Sequence, residues 1–384
     1  MPENSSQNFS NHIPSKRRSQ AKRNSSDKHL RIENLTLENF KVFDNLTIVF
    51  PIPHMANDPD IVVMGSKNGL GKTSILEACS LLFLAASGEN LEYISHQRTN
   101  NLLDILIRAG HKTARIRGIF TVDNETVEIS LILSRSGKIE TEGNAAAFRP
   151  IIQRTKSTRP DISNSALRFS LSLAGLSSEP LLTPPFIYFH SYRKVQEGRL
   201  ELGAMVDEER SLIRSRYPAE RETSISTFKQ IVLRSLMSRG SLFEDFDSKE
   251  AEDILNILNN LMEEYAGGRI EKLRPSVDSK IEFRVTSVND PSMSFNFDGL
   301  SSGQKEIIST LFLIWNYTRT QSGIILIDEP ELHLNPEWHR GFIHHLYRLA
   351  PRNQYIIATH SEDIFSAVDK DRRILLAPDV ERIR

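Results

Sequence analysis

The chain has 384 residues, of which 39% are hydrophobic, and a formal net charge of -1 at pH 7, so it can build a sizeable core in one large domain or in two smaller ones. Its single cysteine, Cys79, excludes an internal disulfide bond. No apolar run approaches the roughly 18 residues that span a membrane, and the start of the sequence lacks the apolar stretch of a signal peptide, so we expect a cytoplasmic protein.

Residues 1–29 form a basic, polar tail with six lysines and arginines against Glu3 and Asp27. Because it contains almost nothing apolar, it cannot offset the entropy of ordering, and we expect it to be disordered. A basic tail can contact nucleic acid, although a solvated leader is the simpler interpretation. The remainder of the chain is weakly acidic, which argues against a strong DNA-binding surface of its own.

The first predicted elements form a β-hairpin followed by a strand, a loop and a helix. Residues 30–50 contain short alternating apolar stretches broken by "FDN", which predicts two strands and a turn. The run "DIVVMG", residues 60–65, predicts a strand buried on both faces. After the loop, apolar residues at helical spacing predict an amphipathic helix: Ile75, Leu76, Cys79, Leu82 and Phe83.

The loop between this strand and helix, "MGSKNGLGKTS" at residues 64–74, is close to the phosphate-binding pattern G-x-x-x-x-G-K-[ST], but Ser66 stands at the first glycine. Glycines let the backbone curl around phosphate so that its N–H groups point at the anion. Lys72 is then expected to reach the β- and γ-phosphates, and the Thr73 hydroxyl to bind Mg²⁺. Taken alone, an ordinary glycine-rich turn is the alternative. The candidate nucleotide-binding residues are Ser66, Asn68, Gly69, Gly71, Lys72, Thr73 and Ser74.

The middle of the chain carries weaker signals. A polar connector at residues 142–165 precedes a predicted strand at residues 186–189, which ends in His190, Tyr192, Arg193 and Lys194. That cluster could contact nucleotide or nucleic acid, or could be an ordinary strand-end loop. Residues 207–270 show a helical pattern that stops at Gly267 and Gly268. It lacks sustained heptads, which favours an inserted helical lobe over a long coiled coil.

Three further motifs follow in the last third of the chain. "LSSGQ", residues 300–304, begins an apolar-periodic helix whose N-terminus can attract an anion; an N-cap alone is the bland alternative. The candidate anion-binding residues here are Ser301, Ser302, Gly303 and Gln304.

The other two motifs follow buried strands. The strand at residues 324–327 leads into Asp328, a candidate ligand of Mg²⁺, and Glu329, a candidate general base. A second strand at residues 355–358 leads to His360, which can donate a hydrogen bond to a γ-phosphate oxygen. A lone histidine is more often a core residue, but this one is third in a series of polar groups that follow strands.

The phosphate loop, "LSSGQ", "ILIDEPE" and "IIATHS" occur in an order that resembles the ABC-type ATPases. More narrowly, "LTLENFKVF", "DEPELHLNPEWH" and "ATHSEDI" look like the RecF, SMC and OLD branch of these ATPases and unlike transporter subunits. The resemblance covers residues 30–135 and 295–378. It implies an α/β P-loop NTPase fold, an ABC ATPase head with an inserted, mainly helical lobe, and ATP and Mg²⁺ as cofactors.

The resemblance also implies how the site is assembled. Glu329, His360 and Lys72 are the expected catalytic residues, and Thr73 and Asp328 the expected metal ligands. The family arrangement is a head-to-tail homodimer around two ATP molecules, in which Lys72 and Thr73 of one chain face Ser301 and Gly303 of the other. The glutamine that normally follows the first helix has only a weak candidate, Gln97.

These inferences divide the chain into four segments with different expected roles. They are a disordered tail at 1–29, the first half of the ATPase head at 30–140, a connector and helical lobe at 141–295, and the second half of the head at 296–384. OLD nucleases continue after the last motif into a metal-dependent nuclease domain, for which this sequence leaves no room. Any nuclease is therefore expected to be a separate partner.

The leading functional hypothesis is a dimeric, ATP-driven switch that controls a partner effector, a nuclease or toxin, as in bacterial anti-phage defence systems. A RecF-like DNA-binding ATPase in repair or recombination is the alternative. A third possibility is a scaffold that ATP holds together without hydrolysis, which the candidate base Glu329 argues against. A transporter subunit ranks last. Site chemistry indicates the use of ATP but does not by itself identify the pathway.

Overall fold

The computed structural model describes residues 30–55, 58–66, 69–91, 94, 102–158, 165–195, 226–239, 248–275, 281–332 and 334–377. The expectations for the tail at 1–29, for Asn68 and for Gln97 lie outside the described residues. None of the helices in the described ranges combines the length and the apolar character needed to cross a membrane.

Strands and helices follow one another in short runs along the described chain. The strands are Leu30–Phe40 (β1), Phe43–Val49 (β2), Asp60–Gly65 (β3), Thr113–Val122 (β4), Glu125–Ser134 (β5), Ile139–Gly143 (β6), Leu181–Thr183 (β7), Phe186–Phe189 (β8), Gly268–Pro275 (β9), Ile281–Ser287 (β10), Ser294–Asn296 (β11), Ile324–Asp328 (β12), Gln354–Thr359 (β13) and Arg373–Leu375 (β14). The α-helices are Lys72–Ala86 (α1), Leu102–Leu106 (α2), Arg149–Thr158 (α3), Ser165–Leu173 (α4), Thr227–Arg239 (α5), Ser248–Ala266 (α6), Ser302–Thr318 (α7), Pro336–Leu349 (α8) and Glu362–Ser366 (α9).

A six-stranded, mostly parallel sheet lies at the centre of the fold, in the order β14-β3-β13-β12-β8-β7. Only β7 and β8 pair antiparallel. Along β3, Val62 and Met64 pack into one hydrophobic core while Ile61 and Val63 pack into the other. Both faces of the sheet are therefore covered, which explains why its strands are nearly continuous apolar runs.

The register of the parallel strands gathers the motifs at one edge of this sheet. Gly65 at the end of β3 pairs with Thr359 at the end of β13. Asp328 at the end of β12 pairs with Ala358. Because the carboxyl ends of parallel strands meet at the same edge, the residues that follow each of them lie close together.

Helix α1 packs between the central sheet and a five-stranded antiparallel sheet of order β2-β1-β4-β5-β6. The sequence predicts an amphipathic helix here, but every residue of α1 except Thr73 is buried. Polar side chains inside the layer have partners: the Ser80 hydroxyl donates to the Leu76 carbonyl oxygen at 2.9 Å, and Glu77 pairs with Lys41. Cys79 is packed in the same layer, and burial raises the pKa of its thiol to about 12.

The structure differs from the expected division of the chain in the segment at 141–295. Its strand β8 pairs in parallel with β12 and so lies inside the central sheet. Its last part, after helices α5 and α6, forms a three-stranded antiparallel sheet of order β11-β10-β9. The helical pattern does end where the sequence predicts, at Gly267, which has a left-handed φ of 63°. The segment thus supplies helices and also part of the central sheet.

Two members of the polar cluster after β8, His190 and Arg193, point inward, whereas Tyr192 and Lys194 are exposed. His190 is 1% exposed, and its Nε2 lies 3.0 Å from the carbonyl oxygen of Glu179, to which it can donate. The His190 ring stacks on Tyr192 with a centroid separation of 4.0 Å. Arg193 is also buried, at 5% exposed. An ordinary surface loop, one of the two sequence interpretations, is therefore wrong for His190 and Arg193.

Burial, together with the neighbouring Arg193 charge, lowers the pKa of His190 to about 4. The folded chain therefore favours the neutral His190 ring. The neutral ring stabilises the fold fully above the unfolded pKa of about 6.5, and this stabilisation is lost as the pH falls towards 4. Between pH 7 and pH 4, the unfolding free energy of His190→Gln should fall by roughly 3 kcal/mol less than that of the parent chain. Urea unfolding at stepped pH measures this difference.

The matched control is His344→Gln, because the His344 side chain is exposed. Its pH profile should follow that of the parent chain. An unchanged profile for His190→Gln would contradict the assignment of this acid sensitivity to His190.

Candidate functional site

The phosphate loop joins the end of β3 to the first turn of α1 through two glycines with left-handed backbones. Gly69 has a φ of 79° and Gly71 a φ of 92°. A Cβ at Gly71 would lie 2.7 Å from Cγ2 of Val42 and closer still to the Phe43 ring. The N-cap residue of α1 is Gly71, which has no side chain that could accept hydrogen bonds from the N–H groups of the first turn. Such a helix N-terminus suits a phosphate.

Lys72 is almost completely buried and turns back towards the loop. Its Nζ donates to the Ser66 carbonyl oxygen at 3.1 Å and to the Ser66 Oγ at 3.0 Å, and lies 3.3 Å from Nδ1 of His360. Burial lowers the pKa of Lys72, while the charges of Glu329, Asp328 and Glu331 act in the opposite direction. The serine that replaces the first glycine thus supplies a hydroxyl contact to the lysine. Ser74, in the first turn of α1, is buried as well.

Asp328 and Thr73 form a pair at the end of β12. The Thr73 Oγ1 donates to Asp328 Oδ2 at 2.8 Å. Asp328 is 0% exposed, and its other carboxylate oxygen, Oδ1, has no hydrogen-bond partner among the described residues. Burial raises the pKa of Asp328 to about 7, and the neighbouring charges of Glu329 and Glu77 add to the rise. A buried carboxylate with one unpaired oxygen beside a hydroxyl is a donor set that fits a hard divalent cation.

No cluster of three or more histidine, cysteine or carboxylate side chains in the described ranges could hold a metal ion. A cation at Thr73 and Asp328 would therefore complete its coordination with water and substrate oxygens. Mg²⁺ is bound in this way, through one or two protein ligands and the phosphates of its substrate. The residues present fit Mg²⁺ better than a metal that needs an all-protein cage.

Glu329 follows Asp328 with a left-handed backbone, at φ 46°. Its N–H donates to the Ala358 carbonyl oxygen at 2.8 Å, and its Oε1 lies 3.2 Å from Nε2 of His360. A positive φ is uncommon for residues other than glycine, and such outliers concentrate at functional sites. The candidate base and the candidate γ-phosphate donor are therefore neighbours.

Sequence reasoning missed Glu331, which holds the histidine in place. Its carboxylate accepts a hydrogen bond from the Thr359 hydroxyl at 2.7 Å and another from the His360 N–H. The signal that could have found it is the third carboxylate of the "DEPE" run, two residues after Glu329. Glu331 spans the gap between the loop after β12 and the end of β13.

The "LSSGQ" signature lies at the start of α7, where Ser301 is the N-cap. The Gln304 N–H donates to Ser301 Oγ at 3.2 Å, and the Ser301 N–H donates to Gln304 Oε1 at 3.0 Å, which forms a capping box. Gln304 Nε2 also donates to the Tyr265 carbonyl oxygen at 3.0 Å. Ser301 and Ser302 are exposed, while Gly303 is buried. The N-cap interpretation is thus correct for Ser301, and its exposure leaves it free to take a second role.

The structure therefore brings the phosphate loop, Asp328, Glu329 and His360 into one site. These residues lie at or directly after the carboxyl ends of β3, β12 and β13, which meet at one edge of the sheet. The signature residues are held instead by one another and by the end of α6. The catalytic and ligand roles of these side chains stay predictions.

The chain is similar to several known proteins. The family described as "AAA ATPase domain" matches residues 30–365. The chain is similar to the "Retron Ec83 probable ATPase" of Escherichia coli, with 23% identity over 399 residues that cover 90% of this chain and 71% of that protein. It is also similar to the "DNA replication and repair protein RecF" of Halalkalibacterium halodurans, with 31% identity over 109 residues, 28% of this chain and 25% of that protein.

Among solved structures, the chain is similar to an SMC head bound to the C-terminal winged-helix domain of ScpA. Identity is 16%, the match covers 88% of this chain and 92% of that chain, and the TM-score is 0.49.

Proposed function

We propose that this chain, which belongs to the AAA ATPase domain family and is an ATPase, works as a switch that closes as a homodimer around ATP and thereby controls a separate effector protein. The observation that carries the proposal is the division of the site. Lys72, Asp328 and Glu329 converge in one chain, whereas the exposed serines of the signature are held elsewhere. A second chain offers the simplest way for the signature to reach the nucleotide.

Hydrolysis follows from the positions of the side chains. The first turn of α1 and the Lys72 ammonium bind the phosphates, and Lys72 exchanges its contact with Ser66 for a phosphate oxygen. Glu329 orients a water molecule and takes its proton as the oxygen attacks the γ-phosphorus and the bond to ADP breaks. Mg²⁺ held by Thr73 and Asp328 would neutralise charge on the phosphates.

His360 connects these groups. It lies within 3.3 Å of Lys72 Nζ on one side and 3.2 Å of Glu329 Oε1 on the other. A γ-phosphate that separates Lys72 from Glu329 would leave the ring free to donate to it. Release of phosphate restores the contacts of His360 with Lys72 and Glu329, so the partners of His360 differ between the ATP-bound state and the state after phosphate release.

For the effector, we propose a nuclease or toxin encoded separately, in an anti-phage role. The similarity to a retron ATPase supports this reading. The similarity to RecF over 109 residues supports the second candidate, a DNA-binding ATPase in repair. The two differ in one measurable property, because a DNA-binding ATPase should bind duplex DNA in the presence of ATP with an affinity that falls steeply with salt.

The test of the switch is the mass of the Glu329→Gln variant measured by light scattering with and without ATP and Mg²⁺. We expect ATP to double the mass, since the variant binds ATP but cannot hydrolyse it. Lys72→Ala is the matched control and should stay at the smaller mass, because it lacks the phosphate-binding ammonium. A Glu329→Gln protein that retains ATP without any change in mass would rule out closure as a dimer.

A further inference from the structure

Arg193, which the proposed chemistry does not use, joins the catalytic edge of the sheet to the signature helix. Its side chain is 5% exposed. The Nη1 group donates to the carbonyl oxygen of Asp328 at 2.7 Å and to that of His190 at 2.9 Å. The Nε group forms an ion pair with Oε1 of Glu306 in helix α7. One buried guanidinium thus contacts β12, the end of β8 and α7.

The hydrogen bond from Arg193 to the Asp328 carbonyl oxygen lies directly before Glu329 in the chain. The peptide unit between these two residues has its oxygen held by Arg193 and its N–H held by the carbonyl oxygen of Ala358. Glu329 has a left-handed φ of 46°, and a change of this φ with the Glu329 side chain held in place rotates the peptide. Rotation removes the acceptor of Arg193. The guanidinium therefore responds to the geometry of the candidate base.

The contact with Glu306 transmits this response to the signature. Glu306 lies in the second turn of α7 and is 6% exposed. Its Oε1 also accepts a hydrogen bond from the Thr310 hydroxyl at 3.3 Å, which fixes the carboxylate along the helix. Because an α-helix is stiff over such a distance, displacement of Glu306 also displaces the capping box at Ser301. A cavity of about 20 Å³, enough for roughly one water molecule, borders Arg193, Glu306 and Glu179.

We propose that Arg193 is a positioning residue that couples the state of the catalytic strand end to the orientation of the signature helix in the same chain. This inference rests on the proposed dimer. Each signature would serve the nucleotide of the other chain, so Arg193 would link the two nucleotide sites of the closed assembly. Hydrolysis at one site then changes how the signature helix binds the nucleotide at the other site, so that the two sites hydrolyse ATP cooperatively.

A purely structural role makes a different prediction. Buried ion pairs contribute little to stability relative to apolar residues of the same size, because desolvation of both charges opposes their attraction. Replacement of both partners, Arg193→Met together with Glu306→Leu, should therefore preserve the fold. If the pair only supports packing, this double variant should behave like its parent.

The experiment is carried out on the full chain in the Glu329→Gln background, with ATP and Mg²⁺. Two quantities are measured: ATP affinity at protein concentrations where the chain is monomeric, and the concentration of protein at half-maximal ATP-driven dimerisation. For the double variant we expect an ATP affinity within about twofold of the parent, and dimerisation weakened at least about tenfold, the size typical of an allosteric coupling. In the chain with Glu329 intact, the Hill coefficient for ATP hydrolysis should fall to about one.

Two further variants keep the test decisive. Glu306→Gln retains the size and the acceptor oxygen but removes the charge, and should weaken dimerisation less than the double variant. Arg31→Met is the matched control, because Arg31 is another part-buried arginine, paired at 2.9 Å with Asp60 at the start of β3, away from the signature. It should leave dimerisation unchanged.

The outcomes separate the two ideas. If the parent dimerises with ATP and the double variant dimerises equally well, the coupling by Arg193 is overturned while the switch stands. If the parent itself never changes mass, the dimer and the coupling fail together.

Discussion

Replacing Glu329 with glutamine is expected to lower kcat for ATP hydrolysis by about 10²- to 10⁴-fold, the usual contribution of a positioned general base. The amide has the shape of the carboxylate but cannot take a proton from water. Its oxygen can still accept from His360, which lies 3.2 Å from Oε1 in the parent chain. The backbone hydrogen bond to Ala358 is unaffected. ATP affinity should therefore stay nearly constant while phosphate release almost stops.

Steady-state phosphate release gives kcat, and calorimetric titration with ATP gives affinity. The matched control is Glu337→Gln, an exposed glutamate in the first turn of α8 that has the same chemistry outside the site. Its kcat should equal that of the parent. Retention of more than about a tenth of the parental kcat by Glu329→Gln would place the base elsewhere. Glu331 would then be the first alternative, since it already contacts the His360 backbone.

The local elements were predictable from the sequence because each carries its own pattern. The strand expected at 60–65 is found at Asp60–Gly65, and the strand expected at 186–189 is found at Phe186–Phe189. The gathering of Asp328, Glu329 and His360 beside Lys72 was also predictable, since each motif follows a buried strand of a parallel sheet. Periodicity and the order of motifs were sufficient for these conclusions.

Long-range pairing was not predictable in the same way. Nothing in the four residues of β8 specifies β12 as their neighbour, and the two strands lie far apart in the sequence. The strand therefore looked like part of an insertion. The same limit applies to helix α1, whose apolar stripe gave no sign that a second sheet covers its polar face.

The contacts that Arg193 and Ser66 make in the site were not predictable for a related reason. Arg193 belongs to a run of polar residues that also reads as an ordinary loop, and only its burial beside Asp328 and Glu306 reveals a specific position. Ser66 looked like a defect in the phosphate loop, although its hydroxyl contacts Lys72. Such roles depend on where a side chain ends in space, and one residue letter does not specify that.

The second large effect is expected from Gly71→Ala, compared with Gly69→Ala as its matched control. Both glycines have left-handed backbones, so each substitution incurs strain of about 1 kcal/mol or more. Around Gly69 a new Cβ would meet no atom of the described residues within 4 Å. At Gly71 it would lie against Val42 at 2.7 Å and against Phe43, which is only 3% exposed and has little room to move. Overpacking of this kind adds roughly 1 to 3 kcal/mol.

The clash also displaces the start of α1, where the phosphates are expected to bind. Gly71→Ala should therefore lose more unfolding free energy than Gly69→Ala and should also lose the stabilisation that saturating ATP gives the parent, which is about 2.7 kcal/mol at a hundred times Kd. Urea unfolding with and without ATP measures both quantities. Equal stability of the two variants, with ATP stabilisation intact in each, would mean that Phe43 moves aside. The hairpin of β1 and β2 would then not fix the shape of the phosphate loop through Val42 and Phe43.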